Sequence, residues 1–287
     1  MIADRDTNTI YFSDLLRTDS RFTASCEAIL RILSRHRVDY RFLPGTKDIW
    51  ARDYMPVQVG KDKWVEYRFD PDYLQGKGKD RRVLKTYPDL VCQQLGLSTV
   101  KTDLILDGGN VIRSRNGVIM TDKVLTENKR THSPEVVKQK LMELFEVESL
   151  VLIPWDPEDF TGHADGMLRF MDEDNVLVNG LYSEPKNPFC SQLINSLEQA
   201  GLRIHWLQVS EDEEQTWAYL NFLQTQNLIL VAGLGQPQDE YALATIKKAF
   251  PDYASRGAVE QIAVWPIVKE EGALNCVSWT VLEALNS

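Results

Sequence analysis

Helix-period apolar stripes return about every 50 to 60 residues along the chain, over Ser20 to His36, Arg81 to Leu95, Pro134 to Phe145, Pro188 to Ala200 and Gln238 to Phe250. Between them lie runs with strand composition: Thr9 to Phe12, Asp39 to Leu43, Trp64 to Phe69, Leu104 to Ile112, Val118 to Leu125, Ser149 to Pro154, Gly166 to Met171, Val176 to Asn179, Arg203 to Val209, Leu228 to Ala232 and Gln261 to Trp265. The runs outnumber the stripes by roughly two to one, which disfavours simple βαβ winding and an open doubly wound sheet. The expectation is a ring of five weakly similar modules, each with two or three short strands and one helix. No low-complexity tract marks a linker, so one domain over residues 1–287 is expected, with Pro71 to Asp80 as a surface loop inside a module.

Charge and segment lengths narrow the class of function. With 287 residues, 43% of them hydrophobic and 26% charged, the chain can bury a large core. Its formal net charge is -10 and no basic stretch exceeds Lys79-Asp80-Arg81-Arg82, which leaves little for a nucleic-acid interface and suits a cationic ligand better. The opening Met1-Ile2-Ala3-Asp4-Arg5-Asp6-Thr7-Asn8 lacks the apolar segment of a secretory signal. No apolar run approaches the roughly 20 residues of a membrane-spanning helix. A soluble, cytoplasmic protein with no membrane partner is expected.

The four cysteines contain no CxxC pair, and a chain this long does not need disulfide staples, so reduced thiols are expected. Cys26 and Cys190 continue helical apolar stripes and read as core; Cys92 falls within a helical pattern and reads the same way. Cys276 differs, because it follows the loop signal Glu270-Glu271-Gly272-Ala273-Leu274-Asn275 and belongs to no stripe. Among the histidines, His36 sits at a helix end, His132 just before a helix start and His205 within a strand. His163 lies beside Gly162 and two residues from Asp165.

Four segments combine such residues: Asp48-Ile49-Trp50-Ala51-Arg52-Asp53-Tyr54-Met55-Pro56, Leu106-Asp107-Gly108-Gly109-Asn110, Thr161-Gly162-His163-Ala164-Asp165-Gly166-Met167-Leu168-Arg169-Phe170, and Gly272-Ala273-Leu274-Asn275-Cys276. Singly each is an ordinary turn or a structural histidine. Each, however, lies where a strand-like run meets a turn, a position from which a scaffold aims polar groups into one cleft. In extended backbone, residues 163 and 165 would share a face. Arg52 and Arg169 read as partners of Asp48, Asp53 or Asp165, and Trp50 and Phe170 as packing groups beside the site.

Taken in order, Trp50-Ala51-Arg52-Asp53 with Pro56, Asp107-Gly108-Gly109, Gly162-His163-Ala164-Asp165 with Arg169-Phe170, and Gly272 with Cys276 resemble the motif series of the agmatine deiminase and bacterial peptidylarginine deiminase family. The resemblance implies an α/β fold, the five-module α/β propeller called pentein-like, with a central active site. It implies Cys276 as nucleophile, His163 as general acid and base, and Asp53 and Asp165 as the carboxylates that grip the guanidinium. Asp107, Asn275, Gly109 and Trp50 follow as substrate-binding positions. No metal and no organic cofactor are implied. The partner is a small cationic guanidino compound, and a homo-oligomer is left open. These residue types match the chemistry, since a planar cation is held by carboxylates accepting paired hydrogen bonds and attacked by a thiolate.

Two positions depart from the family pattern. Asn275 stands where the family has histidine, and Asp107 where the agmatine branch has glutamate. The implied reaction is hydrolysis of agmatine or a related arginine derivative to a ureido product and ammonia. The alternatives are a peptidyl- or free-arginine deiminase, amidine transfer to an amine, and a guanidinium-binding protein without turnover. A metal hydrolase fits worst, since His163 and Asp165 lack an HExxH or paired CxxC to complete a ligand set.

Overall fold

In the computed structural model, residues 1–75, 83–184, 188–209 and 215–284 are described. They form five three-stranded sheets, built to one plan. A short first strand runs antiparallel to a middle strand. The chain then crosses over through a helix and returns as a third strand parallel to the middle one. The second sheet holds Val57–Gly60, Lys63–Arg68 and Val100–Ile105, with the helix Pro88–Leu95 in its crossover. The third holds Ile112–Arg113, Gly117–Thr121 and Ser149–Ile153, with Lys123–Asn128 and Pro134–Phe145. The fourth holds Leu168–Phe170, Asn175–Asn179 and Arg203–Leu207, with Pro188–Gln199. The fifth holds Leu223–Thr225, Leu228–Gly233 and Val259–Ala263, with Gln238–Ala249.

The remaining sheet closes the ring. Its middle and third strands, Thr9–Ser13 and Asp39–Leu43, come from the beginning of the chain, but its first strand is Ser278–Val281. Thr9 pairs with Val281 and Phe12 with Ser278, so the two ends of the polypeptide complete one module. The fold is therefore a five-module α/β propeller. Middle strands such as Leu228–Gly233 are buried throughout, while third strands alternate or are largely open, as in Arg203–Leu207. Apolar helix stripes cover the sheets, and the helix Pro134–Phe145 shows why such segments begin where they do. Ser133 caps its first turn by accepting from the Val136 N–H, and Pro134 takes the first helical position, where a missing N–H costs nothing.

The five expected helices are present, three of them at nearly the expected bounds: Pro134–Phe145, Pro188–Gln199 and Gln238–Ala249. The helix expected from Arg81 begins at Pro88, with Val83 and Leu84 in a turn. Its expected first residues, like part of the expected Pro71 to Asp80 loop, lie outside the described residues. The run Leu104 to Ile112 is two strand ends separated by a turn at Gly108–Asn110. Val118 to Leu125 is a strand that passes into the helix Lys123–Asn128. The run expected to end at Trp265 stops at Ala263, and Trp265 opens a short helix instead. Among the described residues no helix is long and apolar enough to cross a membrane.

Candidate active site

The four motif segments fall at corresponding places in the ring, each just ahead of a module's first strand. Asp53 precedes Val57, Asp107 and Gly109 precede Ile112, His163 and Asp165 precede Leu168, and Asn275 and Cys276 precede Ser278. The fifth module has a polar residue at the same place, Asn221 ahead of Leu223. A propeller brings these turns to one end of its axis, which is how residues more than 200 positions apart come to share a site.

His163 is 6% exposed and lies between two carboxylates. Its Nε2 is 3.0 Å from Asp107 Oδ2 and its Nδ1 is 3.7 Å from Asp53 Oδ1. Asp53 Oδ1 also accepts from the Gly109 N–H at 3.0 Å. Gly109 is glycine for a steric reason, because a Cβ there would fall 2.5 Å from His163 Nδ1 and 2.7 Å from Asp53 Oδ1. The Gly109 carbonyl accepts from the Asp165 N–H at 3.2 Å, joining this group to the next.

Cys276 is 7% exposed. Its Sγ is 3.6 Å from Asp165 Oδ2 and 3.3 Å from Asn221 Oδ1. Asn275 donates from Nδ2 to the same Asp165 oxygen at 2.7 Å. The Arg52 N–H donates to the Cys276 carbonyl at 3.0 Å, fixing the Cys276 turn to the helix that carries Asp53. The thiol and the imidazole are thus linked through Asp165, Gly109 and Asp53. Trp50 packs its ring against Gly272, where a Cβ would lie 2.1 Å from a ring carbon. Tyr73 sets its ring edge to face with His163, centroids 6.1 Å apart.

The electrostatics follow from three buried acids around one imidazole. Burial by itself would push the His163 pKa down, but Asp53 and the hydrogen-bonded Asp107, with Asp165, reverse this and raise it to about 10. Asp53 is pushed up to about 7, first by burial and then by its acidic neighbours, although His163 opposes the rise. The Cys276 thiol is raised well above its ordinary value by burial and then by Asp165 and Asp53. Asp107 Oδ1 and Asn275 Oδ1 are buried acceptors with no hydrogen-bond partner.

Arg52 and Arg169 differ from their expected role. Neither pairs with Asp48, Asp53 or Asp165; both, with Arg113, converge on Asp4 from the N-terminal turn. Their guanidiniums sit behind the site segments, where one carboxylate serves three cations. Cys26, Cys92, Cys190 and Cys276 are buried and take part in no disulfide. Asn221 was not singled out from sequence; its one signal is an amide standing inside the apolar run Tyr219-Leu220-Asn221-Phe222-Leu223.

A five-module propeller whose axial end gathers a thiol, an imidazole and three carboxylates defines the class of enzymes that act on guanidino groups. Within it, the chain belongs to the Porphyromonas-type peptidyl-arginine deiminase family, whose model matches residues 5–281. Two curated relatives are named "putative agmatine deiminase". The protein of Mycoplasma capricolum is 22% identical over 80% of this chain and 74% of its own length. That of Lactococcus lactis is 25% identical over 94% of this chain and 86% of its own. The solved structure of the Enterococcus faecalis agmatine deiminase superposes with a TM-score of 0.75 at 17% identity, covering 99% of this chain and 95% of that one.

Proposed function

We propose that the protein hydrolyses the guanidino group of agmatine or a related small arginine derivative, through a covalent intermediate on Cys276. The observation that supports this most is the charge around the thiol. Asp53, Asp107 and Asp165 are all buried, with His163 the cation among them. A buried cluster with excess negative charge is stabilised by a cation, and a guanidinium offers its N–H groups in the plane that carboxylates accept.

In the resting protein the thiol keeps its proton, since burial and then Asp165 and Asp53 oppose a further negative charge. An arriving guanidinium offsets those acids and favours the thiolate, the thiol proton passing to solvent water. The sulfur then bonds to the central carbon, giving a tetrahedral adduct. His163, protonated at neutral pH, gives its proton to the departing nitrogen, the C–N bond breaks and ammonia leaves. The neutral imidazole takes a proton from water, whose oxygen bonds to the same carbon; the C–S bond then breaks, the hydroxyl proton passes to the sulfur, and the ureido product leaves with the thiol restored. Asp107, holding Nε2 at 3.0 Å, fixes the orientation of the ring.

The test is a panel of agmatine, free arginine, methylarginine and an arginyl peptide, with ureido product and ammonia both measured. Product from agmatine, lost in Cys276→Ser and His163→Gln, is the expected outcome. Silence on all four substrates beside an active control enzyme would overturn the proposal. A new guanidino compound formed only when an amine is added would redirect it to amidine transfer.

A further inference from the structure

We propose that Asn221 is a catalytic-site residue of the fifth module: its side-chain oxygen accepts the Cys276 S–H and fixes the direction in which the thiol points. The chemistry rests on Cys276 being the nucleophile, but the contact concerns the thiol alone and can be tested without a substrate.

The geometry centres on one atom. Asn221 Oδ1 lies 3.1 Å from the Asn275 nitrogen, 3.3 Å from the Cys276 nitrogen and 3.3 Å from Cys276 Sγ. The Asn221 main-chain carbonyl also accepts from the Asn275 N–H, at 3.0 Å. Asn221 is 1% exposed and is itself anchored by donating its N–H to the Trp217 carbonyl at 3.2 Å. One amide therefore fixes both the main-chain turn that presents the nucleophile and the rotamer of its sulfur. A carbonyl oxygen has two lone pairs, and three donors share this one, the Asn275 N–H dividing itself between Oδ1 and the main-chain carbonyl.

The direction of the sulfur bond has a chemical consequence. An amide oxygen can accept from a thiol but offers nothing to a thiolate, so this bond exists only while the sulfur carries its proton. The other groups facing Cys276 are Asp165 and Asp53, both acidic, with His163 beyond them and the Arg52 guanidinium approaching the Asn275 carbonyl at 3.4 Å. Asp165 Oδ2 is the competing acceptor for the one thiol proton, and at 3.6 Å it is the more distant of the two. Asn221 is nearer, and it stands at the place that holds a site residue in each of the other modules. A buried amide inside an otherwise apolar run needs such a use to offset its burial.

The experiment is the pH dependence of Cys276 alkylation by iodoacetamide, followed by peptide mass so that Cys26, Cys92 and Cys190 do not contribute. Circular dichroism would check the fold of each variant. Asn221→Asp puts a further carboxylate against the sulfur and should raise the midpoint of thiolate formation by about one unit or more, slowing alkylation about tenfold at a fixed pH below both midpoints. Asn221→Ala removes the acceptor and frees the Cys276 N–H toward the sulfur, while the Asn275 N–H keeps the main-chain carbonyl of residue 221, so its midpoint should fall. Opposite shifts are what this contact requires; unchanged midpoints, or shifts of the same sign, would overturn it. Should a variant fail to fold, the native protein decides: the infrared S–H stretch of Cys276, isolated by difference from Cys276→Ala, should be present at neutral pH and displaced to a hydrogen-bonded frequency. A missing or undisplaced band would refute the inference. A displaced band with no turnover on any guanidino substrate would leave the thiol contact standing and remove the hydrolase reading.

Discussion

Replacing Asp4 with asparagine should lower the unfolding free energy by about 3–5 kcal/mol, the usual cost of breaking a buried ion pair from one side. The Asp4 side chain is about one-tenth exposed, and it faces Arg52 at 3.3 Å, Arg169 at 3.4 Å, Arg113 and the Thr280 hydroxyl at 2.9 Å. Burial alone would raise its pKa, but Arg113, Arg52 and Arg169 together hold it far below the usual carboxylate range. Asparagine keeps the shape and one acceptor oxygen but leaves three buried guanidiniums without a counter-charge. Against a total of about 5–15 kcal/mol this is a large fraction, and with a urea slope of about 3 kcal/mol/M it moves the midpoint by about 1 M or more. The control is Asp6→Asn, which breaks the surface pair with Arg115 at 2.7 Å and should cost below about 1 kcal/mol. The pH dependence has a definite sign. A carboxylate whose folded pKa is depressed contributes its full stability above the unfolded value of about 3.9 and loses it as pH falls toward the folded value. The gap between native protein and Asp4→Asn should therefore shrink from pH 5 to pH 2. Equal losses for the Asp4 and Asp6 variants at pH 7, or a gap indifferent to acid, would refute the reasoning.

Gly109→Ala inserts a methyl group 2.5 Å from His163 Nδ1 and 2.7 Å from Asp53 Oδ1, so turnover should fall by about 10²-fold while the far-ultraviolet dichroism stays native; steady-state assays beside a melt separate the two effects. Gly272→Ala collides with the Trp50 ring at 2.1 Å and should cost about 1–3 kcal/mol, read from urea midpoints. His163, with its folded pKa raised to about 10, contributes stability that is complete below its unfolded value of about 6.5 and disappears as pH climbs through 10. The urea midpoint should accordingly decline between pH 7 and pH 10 in the native protein, and this decline should be absent in His163→Gln.

The helices were legible because each needs a stripe that repeats at the helical period over about two turns or more, and local chemistry marks its ends: Ser133-Pro134 opens one helix, and Gly96, at a φ of +66°, closes another. Among the first strands, Leu168–Phe170 falls inside the expected Gly166 to Met171 run, but others were not legible. Val57–Gly60, Leu223–Thr225 and Ile112–Arg113 run to four, three and two residues, too short for their apolar–polar alternation to stand out. The Leu104 to Ile112 run hid its break because Gly108 and Gly109 turn the chain within a mostly buried stretch.

The sequence alone determined the module count, the order of the motif segments and the chemistry they bear, because periodicity, glycine and charge are local properties. Which groups meet is another matter. Arg52 lies one residue from Asp53 yet its side chain turns away to Asp4, while Asn221 reaches a sulfur 55 positions further along. Those pairings exist only after the last strand joins the first and closes the ring, because contact between distant residues is set by the closed geometry and leaves no trace in either neighbourhood of the chain.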